Sequence, residues 1–383
     1  MINRQLVNAI VALKDKFPII ALTGPRQSGK TTLLKNTFPD YQYISLEDPD
    51  YREFAQNDPK GFLKNFSENI IFDEVQRVPH LFSYLQTVVD ASGKMGQFIL
   101  SGSQNFHLLQ QITQSLANRV ALFKLLPFDF QELKTANLLP SDYSEILIRG
   151  FYPALFDRNL PSADFYSNYI ETYVQRDVTQ LINIRDIRTF RTFLVLCASR
   201  VGQLLNLNSL ANECGISQPT AKAWLSILES SYILFTLPPY FQNFSKRVVK
   251  SPKLYFYDTG LLCYLLGIKE SKTLIVNALK GNLFENLIVA EQKKQNHHQC
   301  HNKELYFWRD TSGHEIDLLI PNITQFDIFE IKASETINSS QFKGMDFVEK
   351  ISVDKVASKT LIYGGNDNQI RSNYTVKAWH DCC

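Results

Sequence analysis

No uninterrupted apolar stretch in the 383-residue sequence reaches the ~18 residues that a membrane-spanning helix needs, so no membrane association is expected. The opening segment carries Lys14, Asp15 and Lys16 where a secretory leader would place its apolar run, which predicts a cytoplasmic protein. Cysteine is sparse: Cys197, Cys214, Cys263, Cys300, Cys382 and Cys383 form no C-x-x-C pair, which argues against a disulfide framework or a paired-cysteine zinc site. The cluster from His297 to His301 reads as a solvated loop, because adjacent residues cannot easily all face one ion. Excess charge is also missing. With 40 basic and 38 acidic residues the net charge is +2, so overall charge neither demands nor excludes nucleic acid, and any basic surface must be local. There is no repeat and no low-complexity linker. The 44% of hydrophobic residues, with 27 Phe and 17 Tyr, are ample for folded interiors throughout.

A chain this long exceeds the roughly 250–300 residues that one core supports, so several domains are expected. Ile2, Leu6, Ile10, Leu13 and Phe17 recur at helical spacing, and PIIALTG then reads as a buried strand entering a glycine turn. Similar strands follow at YQYISLED, NIIFDE, GQFILSGS and RVALFKLLPF, separated by enough residues for helical crossovers. That alternation predicts an α/β unit with a parallel sheet over 1–135. Residues 136–199 read as a helical connector, in which Phe165, Tyr169 and Tyr173 form a core stripe. Residues 200–259 carry a helix, a turn at Cys214–Gly215–Ile216, a second helix opened by Ser217 and Pro219, and two β-rich halves around a basic turn. This is the order of a winged helix. Residues 260–383 show a helix, GNLFENLIVAEQKKQ, and strands at ELYFWRD, EIDLLI, FDIFEIKAS and TLIYGG.

Chemistry concentrates first at GPRQSGKTT, which comprises Gly24, Pro25, Arg26, Gln27, Ser28, Gly29, Lys30, Thr31 and Thr32. The glycines let backbone N–H groups wrap a phosphate. Lys30 offers a cation to the β and γ phosphates, and Thr31 offers a hydroxyl to Mg²⁺. The loop follows an apolar strand and precedes a helix, as a Walker A loop should. In NIIFDE, Asp73 is placed to hold Mg²⁺ through water and Glu74 to orient or deprotonate the attacking water. Ser101 or Ser103, at the end of FILSGS, is positioned to contact the γ-phosphate or the water, or else caps the turn. Arg119 is a candidate cation for transition-state charge, in its own site or a neighbour's.

GPRQSGKTTLL, IIFDEVQRVPHL, FILSGS and SLANRV with LLPFDFQEL together resemble the bacterial and archaeal AAA-type P-loop ATPases that carry a C-terminal domain of unknown function. YIETYVQRDV, GNLFENLIVAE and GHEIDLLI with FEIKAS extend the resemblance over nearly the whole chain. It implies an AAA-type core, ATP as the nucleotide and a homo-oligomer with sites near subunit interfaces. LED at Leu46–Asp48 departs from the expected pattern, and the arginine completing a neighbour's site stays open between Arg119 and Arg176.

Two further groups point to nucleic acid, DNA or RNA. Between Leu205 and Tyr257 lie Lys222, Lys246, Arg247, Lys250 and Lys253 against Glu213 and Glu229, a basic excess suited to phosphates. Packing of this unit against a core or partner is the competing reading. In the last unit, Asp317 on one strand and Glu330-x-Lys332 on the next set two carboxylates and a lysine for Mg²⁺-dependent phosphodiester chemistry, with Glu285 on the preceding helix as a third carboxylate. The order resembles the PD-(D/E)xK nuclease superfamily, with Ile316 in place of the leading proline. It implies a nuclease-like fold whose cleavage activity is a separate question.

Overall fold

In a computed structural model, residues 2–103, 115–172, 186–241, 248–352 and 354–382 are described. Tyr173, Arg176, Lys246 and Arg247 lie outside them. The chain divides into two compact units. One comprises Met1–Phe128 with Ser230–Tyr232 and His297–Cys300; the other comprises Asp129–Glu229, Ile233–Asn296 and His301–Cys383.

The first unit begins with α1 (Leu6–Lys14), whose Leu6 and Ile10 are fully buried. It continues through β1 (Ile19–Thr23), α2 (Lys30–Thr37), β2 (Gln42–Ser45), α3 (Pro49–Asn57), α4 (Pro59–Asn65), β3 (Ile70–Asp73), α5 (Leu81–Ser92), β4 (Phe98–Gly102) and β5 (Val120–Lys124). The five strands form one parallel sheet in the order β2-β3-β4-β1-β5. Alternate residues of β1 serve opposite faces: Ile19 and Ala21 pack with Phe62 and Leu85, whereas Ile20 and Leu22 pack with Leu6, Ile10, Leu33 and Leu34. Each of the Ile and Leu side chains contributes about 1.5–3 kcal/mol when fully buried, and burial on both faces is why the strand reads as a continuous apolar run.

Helices open the second unit: α6 (Phe130–Thr135), α7 (Tyr143–Arg149), α8 (Pro153–Asp157), α9 (Ser162–Tyr169) and α10 (Ile187–Ser199). Phe165 and Tyr169 are buried. Next come α11 (Leu207–Cys214) and α12 (Gln218–Ser230), joined through Gly215 at φ 67°. Asn206 caps the first helix, and the Ser217 hydroxyl accepts from Thr220 N at the start of the second. An antiparallel hairpin of β6 (Leu234–Leu237) and β7 (Lys253–Phe256) follows. The other side of β7 is occupied as well. Gly202 N donates to Leu254 O, Leu254 N donates to Gln203 O, and the Asn286 side chain accepts from Phe256 N at 2.7 Å and donates to Phe256 O at 3.1 Å.

After α13 (Thr259–Leu265) and α14 (Ser271–Ile275), the long α15 (Lys280–His298) carries Asn286. A six-stranded mixed sheet follows, built from β8 (Tyr306–Arg309), β9 (Glu315–Pro321), β10 (Phe326–Lys332), β11 (Val356–Tyr363), β12 (Gln369–Ile370) and β13 (Thr375–Ala378) in the order β12-β13-β11-β10-β9-β8. β8 to β10 are antiparallel neighbours. β10 and β11 run parallel, with α16 (Lys343–Ser352) between them in sequence. The strands β12 and β13 carry no expectation from sequence, being short and polar at alternate positions.

The histidine cluster corrects the sequence reading. His297 and His298 complete α15 instead of lying in a loop, and His298 is buried with its Nε2 accepting from Leu126 N at 3.2 Å. Within the cluster Gln299, Cys300 and His301 are exposed. No helix among the described residues is long and apolar enough to cross a membrane.

Candidate functional site

The phosphate loop joins β1 to α2 at the carboxyl edge of the parallel sheet. Gly24 has φ 152°, and a Cβ there would stand 2.1 Å from Leu125 O, so only glycine fits. Gly29 at φ 92° and Gln27 at φ 62° complete the tight curl of the loop. Lys30 Nζ donates to Gly24 O and Pro25 O, each at 2.9 Å. Burial lowers the Lys30 pKa to about 8, although Glu74 and Asp73 act in the opposite direction. Ser28 Oγ is buried and has no hydrogen-bond partner among the described residues. An orphaned hydroxyl beside a glycine cradle fits a phosphate oxygen. Arg26 lies 3.9 Å from Glu47, which also pairs with Arg77 at 3.0 Å. Thr32 is exposed on the first turn of α2.

Asp73 accepts four hydrogen bonds from described residues. Its Oδ2 accepts from Thr31 Oγ1 at 2.8 Å and Tyr43 OH at 2.7 Å; its Oδ1 accepts from Ser101 Oγ and from Glu74 N at 3.1 Å. Burial works to raise its pKa, but hydrogen bonds from Ser101, Tyr43 and Thr31 outweigh it and hold the group below the ordinary aspartate value. Glu74 behaves oppositely. It is held at φ 53°, and burial above all raises its pKa. Its Oε2 accepts from Gln76 Nε2 at 2.5 Å and from Ser103 Oγ at 3.2 Å. Ser101 and Ser103 are therefore divided between the two acids, one to each. Thr31 and Asp73 offer adjacent hard oxygen donors, a set that fits Mg²⁺.

Arg119 requires a correction. It immediately precedes β5, and its carbonyl accepts from Ile19 N at 3.1 Å, which fixes it at the amino edge of the sheet, opposite the phosphate loop. Its guanidinium pairs with Asp90. It cannot reach a nucleotide on its own chain. Sequence reasoning also missed Arg4, which donates to Ser28 O at 3.0 Å and to Leu126 O at 2.5 Å while lying over the Phe128 ring. Tyr43 and Gln76 were missed too. Gln76, two residues beyond Glu74, had a local signal; Arg4 and Tyr43 had none.

A second cluster lies in the second unit. Leu318 faces Phe329 across β9 and β10, so the next pair along is Asp317 and Glu330. Lys332 Nζ donates to Asp317 Oδ2 at 3.0 Å and Glu330 Oε2 at 2.7 Å, and Ile331 N donates to Asp317 Oδ2 at 2.7 Å. Burial and the charge of Asp317 push Glu330 up to about 9. Asp317 is also disfavoured as an anion by burial, but Lys332 and Lys253 outweigh that and hold it low. The two carboxyl groups are thus pushed in opposite directions, Glu330 up and Asp317 down. The cluster opens into a cavity of about 400 Å³ lined by His314, Glu315, Asp317, Glu330, Lys332 and Lys343. The His314 Nδ1 is 2.9 Å from Asp310 Oδ2, and its ring stacks on Phe347.

Glu285 does not join Lys332. It pairs instead with Lys253, whose Nζ lies 2.8 Å from Glu285 Oε1 and also contacts Glu315. Lys253 is 2% exposed, which removes it from the basic surface assigned to the hairpin. Lys222 and Lys250 are exposed.

Residues 16–134 match the family described as AAA domain. Residues 140–272 match one described as Domain of unknown function (DUF8612), and residues 280–380 one described as Domain of unknown function (DUF4143). Strand, phosphate loop and acid pair within an AAA domain define an AAA-type P-loop ATPase. The chain is 32% identical over 355 residues to "Uncharacterized protein Rv2008c" of Mycobacterium tuberculosis, covering 91% of this chain and 77% of that protein, and it belongs to the same family. An uncharacterized protein of Haemophilus influenzae is 23% identical over 325 residues, covering 76% of this chain and 78% of its own. Among solved structures, the Walker-type ATPase paby2304 of Pyrococcus abyssi aligns with 70% of this chain and 96% of its own at 13% identity, with a TM-score of 0.48.

Proposed function

We propose that the chain hydrolyses ATP with Mg²⁺ at the phosphate loop and uses the turnover to act on nucleic acid through residues 200–259, read as a winged helix, and 260–383, read as a nuclease-like domain. Residues 1–135 would be the ATPase core and 136–199 the connector, in a cytoplasmic homo-oligomer. The observation that carries the ATPase reading is the convergence of Thr31, Tyr43 and Ser101 on Asp73 with Glu74 adjacent.

Gly24 to Thr32 bind the phosphates, with Lys30 leaving its carbonyl partners for the β and γ oxygens. Thr31 and Asp73 would hold Mg²⁺, which supplies charge neutralisation on the phosphates when bound. Glu74, whose pKa is raised by burial, accepts the proton of the attacking water, and Ser103 and Gln76 orient its carboxylate. Arg119 could serve only a neighbouring subunit's site.

DNA added to the purified protein should raise its ATPase rate. A rate unchanged by single- or double-stranded DNA would favour a second reading, a nucleotide-gated protein-interaction module with an inactive nuclease-like domain. The observation favouring that reading is the buried Lys253–Glu285 pair, which draws the helix carboxylate away from Lys332. The convergence of Asp317, Glu330 and Lys332 supports cleavage, and Asp317→Ala should then abolish Mg²⁺-dependent cutting while ATP hydrolysis persists.

A further inference from the structure

Lys253 is a charged group that neither ATP hydrolysis nor the nuclease-like reading of the cluster employs. It begins β7, and its side chain is 3% exposed. A lysine so enclosed would ordinarily lose its proton, yet here it is set against carboxylates from two other elements. Nζ donates to Glu285 Oε1 of α15 at 2.8 Å and contacts Glu315 of β9. Tyr255, on the same face of β7, donates to the same Glu285 oxygen at 2.5 Å. Glu315 is further held by Arg309 at 3.1 Å. Two carboxylates thus approach Nζ directly, and Arg309 braces the second of them.

The cluster therefore has four carboxylates and two lysines, which are divided between them. Lys332 pairs with Asp317 and Glu330; Lys253 pairs with Glu285 and Glu315. A divalent ion held by Glu285 and the strand carboxylates would have to occupy the space of a buried ammonium or sit against it. Either arrangement sets like charges together where water cannot screen them. We propose that the Lys253 ammonium is a tethered cation filling the position between Glu285 and the strand carboxylates, so that the native chain binds no divalent ion through Glu285. The inference rests on the nuclease-like reading of the cluster for its choice of ligand, and it limits any metal there to the Asp317 and Glu330 side.

Mn²⁺ titration of the nucleotide-free, full-length protein, with bound ion counted by electron paramagnetic resonance, tests this. The wild type and Glu285→Gln should bind the same number of Mn²⁺ ions. Lys253→Met, which keeps the apolar stem and removes the charge, should bind one more ion per chain, and the double variant Lys253→Met with Glu285→Gln should lose it. Loss of a wild-type ion in Glu285→Gln would overturn the proposal, as would a folded Lys253→Met protein that gains none. If Lys253→Met fails to fold, the comparison of wild type with Glu285→Gln still decides. Cleavage of DNA or RNA is read separately, so an inactive nuclease-like site and an error about Lys253 give different results.

Discussion

Ser101 stands directly across from Asp73 in the register of β4 and β3, and its hydroxyl donates to the Asp73 carboxylate. The bond leaves Asp73 oriented by three hydroxyls from three different elements, while the neighbouring Glu74 is disfavoured as an anion by burial. Two consecutive acids are thereby separated into one that stays ionised and one suited to accept a proton.

Glu74→Gln should therefore retain ATP binding and lower kcat by about 10²- to 10⁴-fold, the range of a lost general base. Lys30→Ala should act on the other quantity, weakening ATP binding about 10- to 100-fold through loss of a charged hydrogen bond. Fluorescent-nucleotide titration and steady-state phosphate release separate the two. Wild-type turnover in Glu74→Gln would remove Glu74 from the mechanism.

The pH dependence of ATP binding has a defined sign. Lys30 loses its proton near pH 8 in the free protein, earlier than an ordinary lysine, because burial disfavours its charge. Affinity for ATP should fall as pH rises through about 8, and this alkaline limb should be absent in Lys30→Arg, whose guanidinium stays charged. Isothermal titration across pH 6.5–9.5, spanning about 1.5 on either side of that value, measures both.

Gly344, in the first turn of α16, is a packing constraint on the carboxylate cluster. A Cβ there would lie 2.3 Å from Glu330 Oε1 and 2.8 Å from Glu315 O. Gly344→Ala should displace the Glu330 side chain and destabilise the second unit by about 1–3 kcal/mol, the usual range for overpacking. Chemical denaturation would show it, and an unchanged midpoint would mean that the carboxylate can retreat freely.

Binding to DNA, if made by residues 200–259, should depend on the exposed Lys222 of α12 and Lys250 between β6 and β7. Replacing both by Gln should weaken binding similarly for unrelated sequences and reduce the salt slope by about 1 to 2. Fluorescence anisotropy at several salt concentrations measures that slope. No detectable affinity at low salt, with or without ATP, would favour the interaction-module reading.

The sheet of the first unit was legible because β1, β3, β4 and β5 are short apolar runs with polar residues at their carboxyl ends, where ligands of parallel sheets collect. The partner of Ser101 was not legible, since it depends on strand order and register. Of the two places read for Arg119, its own site and a neighbour's, the first was already disfavoured by sequence order: a residue preceding a strand of a parallel sheet falls at the amino edge. Arg4 gave no signal, because the loop carbonyl it braces lies 24 residues away. Lys253 was grouped with a basic turn by proximity in sequence, whereas its burial depends on Glu285, 32 residues further along the chain. Asp317, Glu330 and Lys332 were legible from strand periodicity, and the requirement for glycine at 344 was visible only once Glu330 had been placed.

Asn286 makes β7 a finished edge. By accepting from Phe256 N and donating to Phe256 O, the amide reproduces what one residue of an adjoining strand would offer, and Gly202 and Gln203 do the same two residues earlier. A two-stranded ribbon ordinarily presents a row of open donors and acceptors to any extended peptide nearby. Here that row is taken up by the chain itself. Recruitment of a foreign strand along β7, whether by a binding partner or in aggregation, is closed off unless α15 and the Gly202–Gln203 segment first give way.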